Sequence, residues 1–418
     1  MQNTYNIIMF LYIDPGTGSM LFSILIGIVS TVLFFGQRLF MKIKFIISGG
    51  KAKKISNSKI PYVIFTDHKR YWNVFKPICD EFEKRKINLV YWTASPDDPA
   101  LNEKYEYIKT EFIGEGNKAF ARLNMMNAGI CLSTTPGLDV YQWKRSDNVD
   151  CYVHIRHDVE EPVGYRMFGC DFYDVILLTG EHQEYYIRLL EKLREEKEKE
   201  CVITGCTYLD AMKARLENIQ KQNQSSNSNQ KTILLAPTWG ASGILSKYGE
   251  KIIDSLISTG YKIIIRPHPQ SFTAEKNMIE ELQQKYPESE NLSWNRDNDN
   301  FDVLSKSDIM ITDFSGIIFD YTLIFDKPLI YADTSYNSAP YDSAWIKEPL
   351  WRFETLKKIG KCLEEKDFPN IKEVIDSVIS DDSFSEARKQ VRKEAWHYPM
   401  EGAQKTVDYL IKKHEEIV

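Results

Sequence analysis

The sequence predicts an α/β protein built from two doubly wound, Rossmann-type parallel sheets, preceded by one membrane-spanning helix. Three observations predict it. Short apolar runs alternate with amphipathic stretches from residue 60 onward, the pattern of strand–helix–strand units. A polar tract, residues 220–230, has no apolar residue and divides the alternation into two blocks. Residues 20–35 are almost wholly apolar, and every residue between Asp14 and Arg38 is uncharged.

The N-terminal segment comes first. A helix over 20–35, with flanking residues, can cross a hydrocarbon core of roughly 30 Å. A signal peptide would carry positive charge before its apolar run, and none precedes this one. Arg38, Lys42, Lys44, Lys51, Lys53, Lys54 and Lys59 follow instead. By the positive-inside rule the body of the chain faces the cytoplasm, as a single-pass protein of the cell membrane, with these cations against anionic headgroups. The turn Asp14–Ser19 lacks the lysine of a phosphate loop and leads into the apolar run. The expected organisation is an anchor at 1–45, a first α/β domain at 55–219, the linker at 220–230, a second α/β domain at 231–384, and a helical segment at 385–418 that packs back on the first domain.

In the first block, strands are expected at 61–66, 88–93, 108–113, 129–133, 151–156, 175–178 and 201–204, with helices at 71–86 and 181–199. The mixed charge run at 191–200 reads as a solvated helix face. In the second block, strands are expected at 232–236, 262–266, 309–312 and 329–331, with helices at 246–258, 274–286 and 316–325. Two such domains leave a cleft between them, a common place for a ligand.

Composition narrows the function. The 418 residues carry a net charge of −6, against a general nucleic-acid binder. Seven scattered cysteines without a Cys-x-x-Cys pair argue against a disulfide framework or a zinc site, and for a reducing compartment.

Four segments could carry chemistry. The stretch from Asp308 to Asp320 reads as a buried strand ending at Thr312, a tight turn, and an apolar helix. Ser315 and Gly316 would offer a hydroxyl and backbone N–H groups to a phosphate. Asp313 and Asp320 would orient neighbours or hold ribose hydroxyls. Simple helix capping accounts for the turn equally well. In Ile263-Ile-Ile-Arg-Pro-His-Pro-Gln270, Pro267 ends a strand's pairing, and Arg266 and His268 emerge past its edge to meet a pyrophosphate or the charge of phosphoryl transfer. In Cys151-Tyr-Val-His-Ile-Arg-His-Asp158, His157 ends a strand facing the cleft, and Asp158 could orient it as a general base. His154, three residues earlier, points to the opposite face as a core histidine. The loop after Ala236 brings Thr238 toward a donor or acceptor, while Trp239 is as well explained by packing.

Taken together these segments resemble the CDP-glycerol glycerophosphotransferase family over residues 60–409. The resemblance is carried by Ala236-Pro-Thr-Trp239, Arg266-Pro-His-Pro269, Thr312-Asp-Phe-Ser-Gly-Ile-Ile-Phe-Asp320 and Lys327-Pro-Leu-Ile-Tyr331. It implies a GT-B fold with the donor on the C-terminal domain. It also implies transfer of glycerol phosphate from CDP-glycerol to a hydroxyl of a cell-surface glycan or lipid-linked acceptor, with release of CMP. No metal or other cofactor is required. By position His268 takes the donor phosphate, Ser315 and Gly316 line the same site, and His157 aligns with the family's proposed base. The family usually has Gly where Asp158 stands, Arg where Gly240 stands, and Ser where Gly316 stands. The competing expectations are a GT-B glycosyltransferase or sugar epimerase using a UDP- or CMP-linked sugar, and a non-catalytic membrane-tethered scaffold.

Overall fold

The computed structural model describes residues 59–221, 230–297, 299–332 and 334–418. The apolar stretch at 20–35 and most of the 220–230 linker lie outside the described residues. Among the described residues no helix is long and apolar enough to cross a membrane. Ile60–Val418 form one compact unit that carries two all-parallel sheets.

The first sheet has seven strands: β1 (Ile60–Thr66), β2 (Leu89–Thr93), β3 (Ile108–Phe112), β4 (Ala128–Ser133), β5 (Val149–Ile155), β6 (Val175–Leu178) and β7 (Glu200–Ile203). They run in the order β3-β2-β1-β4-β5-β6-β7. The second sheet contains β8 (Thr232–Ala236), β9 (Lys262–Ile265), β10 (Leu292–Trp294), β11 (Ile309–Thr312), β12 (Leu329–Ala332) and β13 (Lys361–Leu363), ordered β10-β9-β8-β11-β12-β13. In both sheets the chain winds outward from a central pair, β1/β4 or β8/β11. Ligands of open α/β sheets bind at the carboxyl ends of such pairs.

The strands read as unbroken apolar runs because each face of each sheet is covered. Alternation along the strand then assigns the side chains. Ile233 and Leu235 of β8 join the core on one face, while Leu234 and Ala236 join the core on the other. Ile263 and Ile265 of β9 divide from Ile264 in the same way. In the first sheet, Tyr62 and Ile64 separate from Val63 and Phe65. Burying one such side chain stabilises by about 1.5–3 kcal/mol.

Several helices differ from expectation. The stretch at 385–417 is two helices, Ser385–Ala395 and Gly402–Ile417. The break holds Pro399, and Tyr398 and Met400 take positive φ on either side of it. The first packs on the helices Glu181–Arg194 and Trp351–Ile359, and the second packs on β4 and on the helix Trp72–Lys84. It comes so close at Gly129 that a Cβ there would lie 2.8 Å from the His414 ring. The helix expected at 181–199 ends at Arg194, where Glu195 adopts the left-handed conformation. The charge run is not a plain solvated face: Arg194 pairs with Asp171 and Asp342, and Glu191 is buried against Arg188 and Lys199.

Candidate active site

The carboxyl edge of the second sheet gathers three chain segments. After β9 the Arg266 amide makes one more ladder bond, to the Leu235 carbonyl, before Pro267 interrupts pairing. The Arg266 side chain is nearly buried, and its Nη1 donates to Asn295 Oδ1 at 2.9 Å and to the Asp297 carbonyl at 2.8 Å. These bonds fix the guanidinium. His268 Nδ1 accepts from the Gln270 amide at 3.1 Å, so the neutral ring carries its proton on Nε2. Burial, with the charges of Arg70 and Arg266, pushes the His268 pKa down to about 4. Near neutral pH it is therefore an uncharged hydrogen-bond donor.

After β11 the turn delivers Ser315 and Gly316. The amides of Gly316 and Ile317 take no partner among the described residues. Asp320, one helical turn on, accepts from Tyr208 Oη at 3.1 Å and Asn300 Nδ2 at 2.8 Å through one oxygen. Burial pushes its pKa up to about 7, although those donors favour the ionised form. Pro237, Arg266, His268, Ser315, Gly316 and Asp320 together line one cavity of about 230 Å³. Cationic, neutral-donor and backbone-amide groups converging on one cavity suit a phosphate or pyrophosphate, with a carboxylate at its side for hydroxyl groups.

Two of the expected donor residues are not brought to this cavity. The Asp313 carboxylate is buried and accepts from the amides of Thr238, Ile244 and Ser315. It staples the loop after β8 to the turn after β11, an orienting task, and both its oxygens are occupied. Thr238 contributes its amide to that staple, while Ala236 and Pro237 form the cavity wall. Trp239 is exposed, with its ring 6.5 Å from that of His268.

The carboxyl edge of the first sheet supplies the facing residues. His157 lies two residues beyond β5. Its Nδ1 is 2.8 Å from Thr134 Oγ1, just past β4, and its Nε2 is 3.5 Å from Asp158 Oδ2. The Tyr71 ring packs edge-on at 4.9 Å. Burial lowers the His157 pKa, and the Asp158 charge offsets this only in part. Burial raises the pKa of Asp158, but the charges of Arg156 and His157 outweigh it and keep the carboxyl below its ordinary value. A neutral imidazole with a hydroxyl on one nitrogen and a carboxylate 3.5 Å from the other can accept a proton. His154 is fully buried on β5, with Nε2 3.2 Å from Tyr165 Oη. Strand alternation does not separate the two histidines, because His157 is past the strand end; both rings flank Tyr165, at 5.5 and 6.5 Å.

Residues that local motifs did not single out join the two edges. Glu160 reaches the donor turn from the first sheet: a Cβ at position 316 would lie 3.1 Å from its Oε1. Glycine at 316, where the family usually has serine, makes room for that carboxyl. Glu161 is fully buried and receives Arg352 Nε and the Arg352 amide. Arg70, in the loop after β1, is exposed and has no acidic partner among the described residues, and its charge depresses both His157 and His268. The cluster Asp67-His68-Lys69-Arg70 directly after the first strand was the one available signal for it.

Paired Rossmann-like sheets with an Arg- and His-lined cavity at the second switch point define a two-domain, GT-B-like α/β enzyme. The chain belongs to the CDP-glycerol:poly(glycerophosphate) glycerophosphotransferase family, whose model matches residues 168–397. It is thus a glycerophosphotransferase-type enzyme. Arg266, His268, Ser315 and Gly316 fall inside the matched stretch, and His157 falls before it. A structure of the wall teichoic acid polymerase TagF soaked with CDPG is similar, at 16% identity and TM-score 0.56, covering 92% of this chain and 98% of that one. So is UDP-GlcNAc 2-epimerase from Neisseria meningitidis bound to UDP-GlcNAc, at 15% identity, TM-score 0.51 and coverage of 85% and 100%. MnaA of S. aureus with UDP matches at 14% identity, TM-score 0.56 and coverage of 86% and 98%. At these identities the likeness establishes the fold. Among curated proteins none matches this chain in sequence.

Proposed function

We propose that this enzyme transfers glycerol phosphate, or a related polyol phosphate, from CDP-glycerol to a hydroxyl of a cell-surface glycan or lipid-linked acceptor and releases CMP. The observation that carries the reading is the single cavity shared by Arg266, His268, Ser315, Gly316 and Asp320, inside the stretch matched by the family. His157 takes the acceptor's hydroxyl proton. The acceptor oxygen then bonds to the phosphorus that bears the polyol, and the bond from that phosphorus to the CMP oxygen breaks. Arg266, the Nε2–H of His268 and the free amides of the 316–317 turn meet the charge that develops on the phosphoryl oxygens. Asp320 holds ribose hydroxyls.

The test is a donor panel. Purified protein is incubated with acceptor-containing membranes and with CDP-glycerol, CDP-ribitol or UDP-N-acetylglucosamine, and free CMP and UDP are measured. CMP release from a CDP-polyol supports the reading. UDP release from UDP-N-acetylglucosamine alone would favour a GT-B glycosyltransferase, its conversion to an epimeric UDP-sugar without UDP release, read by chromatography, would favour a sugar epimerase, and no turnover or thermal stabilisation with any donor would favour a scaffold.

The same reading includes a membrane attachment through residues 20–35, with the basic residues after it on the cytoplasmic side. A reporter fused after Val418 should then be inaccessible from outside the cell; external labelling there would overturn that topology.

A further inference from the structure

A second cavity, of about 510 Å³, opens on the other side of the turn that follows β11. Asp313 and Phe314 line it, whereas Ser315, Gly316 and Ile317 line the smaller cavity described above. One backbone turn therefore forms a wall of both. Aromatic rings dominate the larger space: Phe314 stands 5.3 Å from Tyr336 and 5.9 Å from Phe353, and Tyr336 stands 5.5 Å from Phe353, centroid to centroid. Thr334 is 8% exposed, and its buried Oγ1 has no hydrogen-bond partner among the described residues. Leaving such a hydroxyl unpaired costs about 1–3 kcal/mol unless a ligand or water meets it. Thr334 and Tyr336 of its lining precede Asp342, which ties the chain to the loop between β5 and β6. There the Asp342 amide bonds the Tyr165 carbonyl, and its carboxylate accepts from the Phe168 and Gly169 amides.

The shape and chemistry select the occupant. A three-carbon polyol would leave most of this volume empty. A purely apolar chain would leave the Thr334 hydroxyl unmet. A pyranose ring presents C–H groups that pack on aromatic faces and hydroxyls that bond polar groups in the same plane, and pockets of about 300–1,000 Å³ suit ligands of more than one ring. We infer that this cavity is the carbohydrate subsite for the acceptor, in which pyranose rings pack on Phe314 and Tyr336 and bond Thr334 Oγ1. The inference rests on the transferase reading above. It adds to it a location for the acceptor, one turn's thickness from the donor phosphates.

Cysteine chemistry gives a readout independent of turnover. Cys362 lines the cavity. Cys362 and Cys201 are half-buried, while the other five thiols are buried. Alkylation by N-ethylmaleimide, followed site by site by mass spectrometry, therefore reports the cavity through Cys362, with Cys201 as internal reference. The probes are cellobiose, maltose and N,N′-diacetylchitobiose at rising concentration, and CDP-glycerol. We expect at least one disaccharide to slow Cys362 alkylation several-fold without affecting Cys201, and CDP-glycerol to slow neither. Thr334→Val, which keeps the shape, should weaken that protection and raise the acceptor KM while leaving the CDP-glycerol KM unchanged. Protection by CDP-glycerol would make the cavity part of the donor site and overturn the inference. Alkylation unaffected by every saccharide, with Thr334→Val at the parent acceptor KM, would overturn it equally. Saccharide protection in a protein that releases no CMP from CDP-glycerol would instead fail the transferase reading and leave a carbohydrate site.

Discussion

Arg352→Met should destabilise the protein by roughly 3–5 kcal/mol, the cost of stripping one partner from a buried ion pair. The structure puts this pair in that class. The Glu161 side chain is 0% exposed and that of Arg352 9%, and the bond between them joins the loop after β5 to the helix Trp351–Ile359 that packs beside the second sheet. Methionine keeps length and apolar volume but removes the guanidinium. Glu161 then retains only the backbone amide of residue 352, at 3.0 Å, and a buried carboxylate loses its counter-charge. Glu160 is affected too, since Arg352 Nη1 lies 3.3 Å from its Oε2. Against a typical total of about 5–15 kcal/mol, the loss is large. Urea unfolding followed by tryptophan fluorescence reads it as a lower midpoint. Neutralising both partners, Glu161→Gln with Arg352→Met, should recover part of the loss, because replacing a whole buried pair is often close to neutral. A single Arg352→Met variant within about 1 kcal/mol of the parent would refute the argument and put the pair in the solvent-screened class.

Two further outcomes follow from the site. The His268 pKa is lowered to about 4 in the folded protein, so between about pH 6.5 and 4 the unfolded chain binds a proton that the folded chain refuses, and stability should fall as pH falls through that window; His268→Asn should flatten the melting-temperature profile there, and an unchanged slope would contradict the assignment. Gly316→Ala brings a Cβ to 3.1 Å from Glu160 Oε1 and should weaken CDP-glycerol binding in a calorimetric titration. Adding Glu160→Ala should restore it, with a coupling of about 0.5–3 kcal/mol; additive effects would show that the two residues do not meet.

The strands of both sheets were legible where an apolar run was long enough to cover two faces, as in β8, β9 and β11. The strands β10 and β13 are three residues each, too short for a period to declare itself, and they acquire strand character only by extending a sheet already formed. The helical segment expected at the C-terminus is divided at Pro399, a break the sequence reading did not mark because the amphipathic pattern continues on both sides of it. At the donor cavity, Arg266, His268, Ser315, Gly316 and Asp320 could be grouped from sequence because each follows an apolar strand, and parallel topology brings strand ends to one edge. For Asp313 the sequence left two roles open, orienting neighbours or holding a ribose, because an acid in a tight turn looks the same whether it receives a ribose or its own chain's amides. Glu161 and Arg352 are 191 residues apart, and neither carries a local pattern that announces the other. Glu160 and Gly316 meet only across the two sheets. The glycine was visible as a departure from the family's serine, but its reason needed the facing carboxyl.

The measurement that bears most directly on the account is a paired one on three variants shown to be folded: CDP-glycerol affinity by calorimetry, and CMP release in the presence of acceptor. His157→Ala should bind CDP-glycerol like the parent and lose transfer by about 10²–10⁴, as removal of a positioned base does. His268→Ala should lose both donor affinity and transfer, because His268 lines the cavity proposed for the donor phosphates. His154→Ala should change stability while sparing both. A folded His157→Ala variant that releases CMP at the parent rate, or a His268→Ala variant that binds CDP-glycerol as tightly as the parent, would contradict the division of labour between the two sheet edges.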